Sequence, residues 1–337
     1  MIHQEKILEL YSKNKRILLV GPYPPPIGGI SVHLRRLHHI LIENVYDASI
    51  YNTRTEDLSK FGRCNRYAKL LFYNKYDIVH VHGYRPIFFY ITWFLKNWKS
   101  YDFYFTDHNA RLFDTLGFWG QKIYRFAIKK LSLLILVNND VRSIYKNKCH
   151  VLPSNIIVRN AFLPPVLNEE RQIMQTYSQE SKNFVNTRKP LIVANASRIV
   201  FFNGIDLYGL DMCVELIYKC KSCFPNIGLL FVLANSKTDS SYLEALKRRI
   251  EYLGISDNFH FMTGQKELWP LFKLADLCVR PTVSDGDAVS VRESLYFGCP
   301  VIASNAVQRP AGTVTFTTRD IDDLCEKVVS ILESKEK

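Results

Sequence analysis

Residues 16–33 read RILLVG, then PYPPPIGG, then ISVH, and the order of those three pieces decides the fold. The apolar run Arg16–Gly21 has the length and composition of a strand buried on both faces. A proline-rich loop then ends in Gly28 and Gly29, and the apolar spacing from Val32 to Glu43 predicts a helix. Strand, loop and helix in that order form the first unit of a parallel α/β sheet.

The alternation continues along the chain. In the first half, strands are predicted at Asp77–His82, Phe103–Asp107 and Leu133–Asn138, with a helix at Tyr124–Lys130. The aromatic stretch Phe88–Trp98 reads as a core helix. In the second half, strands are predicted at Leu191–Ala196, Leu229–Ala234, Phe259–Thr263, Leu277–Arg280, Val301–Ser304 and Val314–Thr317. Helices are predicted at Leu210–Cys223, Ser241–Leu253, Glu267–Ala275, Val289–Phe297 and Asp320–Glu333. Asn168–Lys189 is polar, follows Pro164-Pro165 and reads as a crossing between domains. The expected architecture is α/β: two doubly wound domains at 1–165 and 190–337, joined by a linker at 166–189. They are expected to face each other across a cleft, with the final helix free to return to the first domain.

A length of 337 residues suits two domains of roughly 150 residues each. An apolar fraction of 47% excludes general disorder. The longest uncharged apolar run, Ile87–Leu95, is about half of the roughly 20 residues that a spanning helix needs. The first residues lack an uninterrupted apolar segment, so the reading is a cytoplasmic chain whose eight cysteines are reduced thiols. The pair Cys220 and Cys223 has no second pair beside it and is not read as a metal site.

The net charge of +12 is unevenly placed. Residues 1–165 carry 24 basic and 11 acidic side chains, whereas residues 166–337 carry 20 and 21. An excess confined to one half points to an anionic partner for that half. Nucleic acid, an anionic membrane face and a phosphorylated acceptor all match this charge.

Four segments carry chemistry. Gly28 and Gly29 open a helix whose free amides favour a nearby anion, though the loop is neither a dinucleotide fingerprint nor a P-loop. His82 and His108 each stand at the carboxyl end of a predicted strand, while His80 reads as structural. The His-x-His spacing lacks the companion ligands of a zinc site. Arg198 closes the first strand of the second half, where a guanidinium can grip a diphosphate. Finally, Arg280 is followed by a loop holding Asp285 and Asp287, then by a helix carrying Glu293. Carboxylates beside a helix N-terminus suit a ligand with both phosphates and hydroxyls, such as a nucleotide sugar.

Taken in order, these segments resemble retaining glycosyltransferase family 4, of GT-B fold. The likeness runs from the Gly-Gly loop through the DIVHVHG strand, Thr106-Asp107-His108, Arg159–Phe162 and Ala196-Ser197-Arg198 to the acidic residue eight positions before Glu293. The stretches from Tyr208 to Asp211 and from Arg280 to Asp287 look like a bacterial surface-polysaccharide branch. The resemblance implies that Gly28, Gly29 and Arg198 hold the donor diphosphate, and that amides of Asp287, Ala288 and Val289 face it. It implies that Glu293 binds the ribose, that Asp285 lies near the transferred sugar, and that His108 lines the reaction centre.

This sequence departs from the family pattern twice. Asn203 stands where the family usually has a lysine before Gly204, and Asp285 replaces a glutamate. Arg280 is the candidate to supply the missing cation. The implied activity is metal-independent transfer of a sugar from a nucleoside diphosphate sugar to a carbohydrate, lipid-linked acceptor, with no cofactor. The first domain would bind the acceptor and the second the donor. An anionic membrane surface is an expected partner and nucleic acid is not. Arg35, Arg36, Arg63, Arg66, Lys69, Lys129 and Lys130 are the candidates for such a membrane face. A nucleotide-sugar epimerase of similar architecture and a catalytically weak binding subunit stay open as alternatives.

Overall fold

The apolar runs assemble into two six-stranded, wholly parallel sheets, one in each half of the chain. The computed structural model describes residues 7–25, 27–55, 58–83, 86–108, 113, 116–149, 152–264, 267–286 and 288–336. The chain divides into two units between Pro164 and Pro165.

In the first unit the strands are β1 (Ile17–Gly21), β2 (Ala48–Asn52), β3 (Ile78–His82), β4 (Asp102–Asp107), β5 (Leu133–Leu136) and β6 (Ile156–Val158). They lie in the order β2-β1-β3-β4-β5-β6. The helices between them are α1 (Gly29–Glu43), α2 (Lys60–Tyr73), α3 (Pro86–Leu95), α4 (Phe118–Ile128) and α5 (Asn139–Cys149). Leu34, Leu37, Ile40 and Leu41 of α1 pack on Ile17 and Leu19, burying the helix stripe that the sequence pattern marked.

The second unit begins with α6 (Glu170–Gln175) and α7 (Gln179–Thr187). These helices occupy the stretch read from sequence as a linker, and they belong to the second unit. Tyr177 and Val185 join the buried cluster around Leu191, Val193, Leu230 and Val232. The Tyr177 hydroxyl donates to the Glu267 carbonyl at 2.6 Å. Few buried apolar side chains are enough to dock two short helices, which is why the segment looks polar.

The sheet of this unit comprises β7 (Leu191–Arg198), β10 (Gly228–Asn235), β11 (Phe259–Thr263), β12 (Leu277–Arg280), β13 (Val301–Ser304) and β14 (Thr313–Phe316), with a separate hairpin of β8 (Phe201–Phe202) and β9 (Ile205–Asp206). Its order is β11-β10-β7-β12-β13-β14, the doubly wound order of dinucleotide-binding folds. Helices α8 (Leu210–Cys220), α9 (Ser240–Tyr252), α10 (Trp269–Phe272), α11 (Val289–Tyr296) and α12 (Ile321–Glu336) complete it. Leu324, Val328 and Leu332 of α12 lie in the same buried cluster as Leu216 and Ile217 of α8. The last helix is therefore part of the second unit's core.

Candidate functional site

Ligands of open parallel sheets sit beyond the carboxyl ends of the strands, where the strand order reverses. That point lies between β1 and β3 in the first unit and between β7 and β12 in the second.

At the first edge, Gly21 ends β1 hard against β3. A Cβ on Gly21 would stand 3.2 Å from both the Cβ and the backbone oxygen of His82. Gly28 caps α1 with extended backbone, and a Cβ there would meet nothing within 4 Å. Packing does not demand glycine at Gly28, and the missing side chain leaves the loop backbone open to close approach. Gly29, the first helical residue, is exposed.

Four buried histidines surround this edge, and their hydrogen bonds separate them. His80 uses both ring nitrogens, with the Tyr11 hydroxyl at 2.6 Å and the Thr106 hydroxyl at 2.7 Å. That pairing explains it as structure. His33, on the second turn of α1, donates from Nδ1 to the Ala161 carbonyl at 2.7 Å. His82 has no partner at either nitrogen and His108 none at Nε2, among the described residues. One nitrogen each of His33, His82 and His108 come within 4.8 Å of one another. Burial pushes His33 down to about 4 and holds His82 and His108 well below the usual imidazole value. All three are neutral at pH 7.

Buried polar atoms without partners in a native fold need an explanation, and a ligand is one. Three neutral imidazoles can bond sugar hydroxyls, and their spacing would also let them hold a divalent ion. The sequence pointed to His82 and His108. It gave no weight to His33, although its place one turn past Gly29 was a usable signal.

At the second edge, Arg198 ends β7 and is exposed, with no partner among the described residues. Asn203 and Gly204 form the two-residue turn between β8 and β9, with φ of 51° and 78°. A turn with two positive φ values selects Asn-Gly, so local backbone geometry accounts for asparagine where the family pattern has lysine.

Arg280 ends β12 and is buried. Its Nε donates to Asp285 Oδ2 at 3.1 Å and its Nη1 to the Asn195 carbonyl at 2.9 Å. The guanidinium also lies over the Tyr208 ring, 4.9 Å from its centre. Arg309, in the connection from β13 to β14, reaches the same carboxylate with Nη1 at 3.2 Å and donates to Thr282, Ser304 and the Ser304 carbonyl. The Gly286 amide closes the ring on Asp285 Oδ1 at 3.1 Å. Burial pushes the Asp285 carboxyl up, but Arg280 and Arg309 outweigh it and leave it below the ordinary value. The observed work of Arg280 and Asp285 is to hold each other and the loop. Arg309 carried no sequence signal, because nothing local marks a long-range partner.

The loop that this cluster fixes leads into α11. Ala288 precedes the helix without a capping side chain, and the amides of Val289 and Ser290 have no partner among the described residues. Two open amides at a helix N-terminus make an anion-binding end. Glu293 lies one turn further on and is buried. Asp287, expected beside the phosphates, lies outside the described residues. Gly209 holds the start of α8 to this loop: its φ is +68° and a Cβ would fall 2.3 Å from the Pro281 oxygen.

Residues 196–334, most of the second unit, match the family described as Glycosyl transferases group 1. Over 182 residues the chain is 22% identical to the lipopolysaccharide glucosyltransferase WaaG of Escherichia coli K12. That match covers 52% of this chain but only 44% of the relative. Among solved structures, Anabaena HepE in complex with UDP and glucose superposes with a TM-score of 0.69 at 12% identity, over 96% of this chain and 91% of that one. Sucrose-phosphate synthase from Thermosynechococcus elongatus gives 0.69 at 13% identity, over 95% and 90%. At such identities the likeness speaks for the fold: this chain is built from the two Rossmann-like, parallel-sheet domains of the GT-B class.

Proposed function

We propose that the chain is a retaining, metal-independent glycosyltransferase that takes a sugar from a nucleoside diphosphate donor. The acceptor is a carbohydrate, lipid-linked and part of a surface polysaccharide, met by a cytoplasmic enzyme seated peripherally on the inner face of the cell membrane. The observation that carries the reading is the second edge. Open amides at Val289 and Ser290, buried Glu293 one turn on and unpaired Arg198 at the end of the neighbouring strand all fall within residues 196–334. HepE, similar in fold, was solved with UDP and glucose, which supports a nucleotide-sugar donor.

In this reading the helix end and Arg198 hold the diphosphate and Glu293 accepts hydrogen bonds from the ribose. In the first unit, His108 with His33 and His82 bonds hydroxyls of the carbohydrate acceptor. The sugar's anomeric C–O bond to the diphosphate breaks as a new C–O bond to the acceptor forms on the same face. The acceptor proton passes to the leaving phosphate oxygen, so no side-chain nucleophile is needed. Arg198 balances the charge that develops on the leaving group.

Thermal-shift measurements with UDP-, GDP- and ADP-sugars test donor binding, because a specific ligand raises the melting temperature. Glu293→Gln should weaken the stabilising donor roughly 10- to 100-fold, the worth of a lost charged hydrogen bond. An unchanged donor response would remove Glu293 from the site. Arg198→Ala should slow transfer about 100-fold with the fold intact. Full activity in that variant, or activity abolished by a chelator in the wild type, would overturn the assigned roles.

A further inference from the structure

Helix α4 is amphipathic the wrong way round for a helix that only serves its own core. Tyr124, Ala127 and Ile128 are buried, while Phe118, Trp119, Ile123 and Phe126 face outward, with Trp119 71% exposed. Lys122 lies over the Phe118 ring at 4.4 Å and the Trp119 ring at 5.0 Å. Lys130, just past the helix, lies 5.7 Å from the centre of the Phe126 ring. One outward stripe therefore interleaves large aromatic rings with ammonium groups.

The stripe continues onto neighbouring elements. The Trp93 and Phe126 rings meet at 6.1 Å, and Lys130 Nζ donates to Asn97 Oδ1 at 3.1 Å. Beyond Asn97 stand Trp98, 62% exposed and packed on exposed Phe94, and then Lys99 over the ring of exposed Phe72 at the end of α2. The segments 58–75, 78–101 and 115–139, which supply α2, α3 and α4, contain 12 basic residues and no acidic one.

We propose that this face of the first unit, formed by α4 and the ends of α2 and α3, docks on an anionic lipid bilayer. Exposed aromatic rings with lysines at one level are what a headgroup layer over hydrocarbon accommodates, the rings entering the boundary and the ammonium groups meeting lipid phosphates. Charge decides the occupant: a second copy would bring an equally positive face and be repelled. The inference deepens the membrane-seated reading above by naming its surface.

It also corrects the sequence-based candidates. Arg36 is 2% exposed and donates to the Leu163 carbonyl at 2.9 Å. Arg63 donates to the carbonyls of Thr55 and Leu58. Neither is available to a membrane. Arg66, Lys69, Lys129 and Lys130 remain exposed. Phe88–Trp98 divides its roles, with Phe88 and Phe89 in the core and Phe94 and Trp98 outside.

Sedimentation of the full chain with phosphatidylcholine vesicles, with and without phosphatidylglycerol, tests the proposal. Binding should require phosphatidylglycerol, weaken with salt and shift tryptophan emission to the blue. The pair Phe118→Ser and Trp119→Ser, and separately the pair Lys122→Glu and Lys130→Glu, should each weaken it about tenfold or more. These positions are exposed, so melting temperatures should hold, and so should any sugar transfer to a soluble acceptor. That last readout separates failure of docking from failure of the transferase reading. Wild-type indifference to lipid charge, variants that bind as well as wild type, a dimer that hides this face, or a preference for oligonucleotides over vesicles would each overturn it.

Discussion

Asp285→Ala should destabilise the second domain by about 3–5 kcal/mol, the usual cost of removing one partner from a buried ion cluster. The side chains of Arg280 and Arg309 are 8% and 3% exposed and share this one carboxylate. Without it, two guanidinium groups are left close together in a buried loop without the carboxylate they share. Their bonds to the Asn195 and Ser304 carbonyls neutralise neither. Asp285→Asn keeps the shape and loses the charge, so it should recover only part of the deficit. Urea unfolding of the three proteins measures this, and an alanine variant within about 1 kcal/mol of wild type would refute the assignment.

The same variants separate building the loop from acting on substrate. Both oxygens of Asp285 already accept from protein donors: Arg280, Arg309, Thr282 and Gly286. A carboxylate has about four lone-pair sites; Oδ2 takes three of these bonds, and Oδ1 takes the Gly286 amide and a long bond from Arg280 Nη2 at 3.5 Å. If Asp285 only builds the loop, Asp285→Asn should raise the donor KM in step with lost stability and leave kcat nearly unchanged at saturation. A fall in kcat at saturating donor, with the fold intact, would place the carboxylate on the transferred sugar.

How far the sequence reached follows from the range of each interaction. Interior strands β1 and β3 are buried along their length and β7 over Leu191–Ala194, so apolar residues dominate their sequences, with His80 and His82 the polar members of β3. The edge strand β2, ASIYN, is half-solvated, and β6 has three residues; neither leaves such a stretch. Helix α2 was missed because it buries only Tyr67 and Leu71. At the site, the strand-end residues Arg198 and His108 were legible, since position along a parallel strand predicts the edge. The bonds that hold Asp285 were not, because Arg309 comes from another connection. Nor could Asn203 be understood from the lysine that the resemblance led one to expect. Its reason is the positive φ of a two-residue turn.

The largest pH effect should fall on the first domain, which ought to lose stability steeply as the pH drops below about 6.5, the ordinary histidine value. Burial, with the neighbouring His33 charge adding to it, pushes His80 down to about 3. Burial also dominates at His33, and there it outweighs the opposing bond to Ala161 and leaves a value of about 4. His82 and His108 are depressed in the same direction, again through burial first. The sign follows from proton uptake. Between the unfolded and folded values the unfolded chain binds a proton that the native state refuses, so acid favours unfolding. The stability is fully present above about pH 6.5 and is lost as the pH falls toward the depressed values, at about 1.4 kcal/mol per unit for each histidine. These four buried groups, with half-buried His38 shifted the same way, give a loss of several kcal/mol by about pH 5, a large share of a typical 5–15 kcal/mol. The second domain has one histidine so shifted, half-buried His260. Trp93, Trp98 and Trp119 report on the first domain and Trp269 on the second. Melts followed by tryptophan emission, with Trp269→Phe and the triple Trp93/Trp98/Trp119→Phe variant as separate reporters, should show the first domain failing earlier as acid is added. His82→Phe removes one titrating group and should flatten the dependence by about a fifth to a quarter. Melting temperatures that stay level from neutral pH to about pH 5 would mean the imidazoles reach solvent or a proton partner in solution, and the neutral cluster would have to be abandoned.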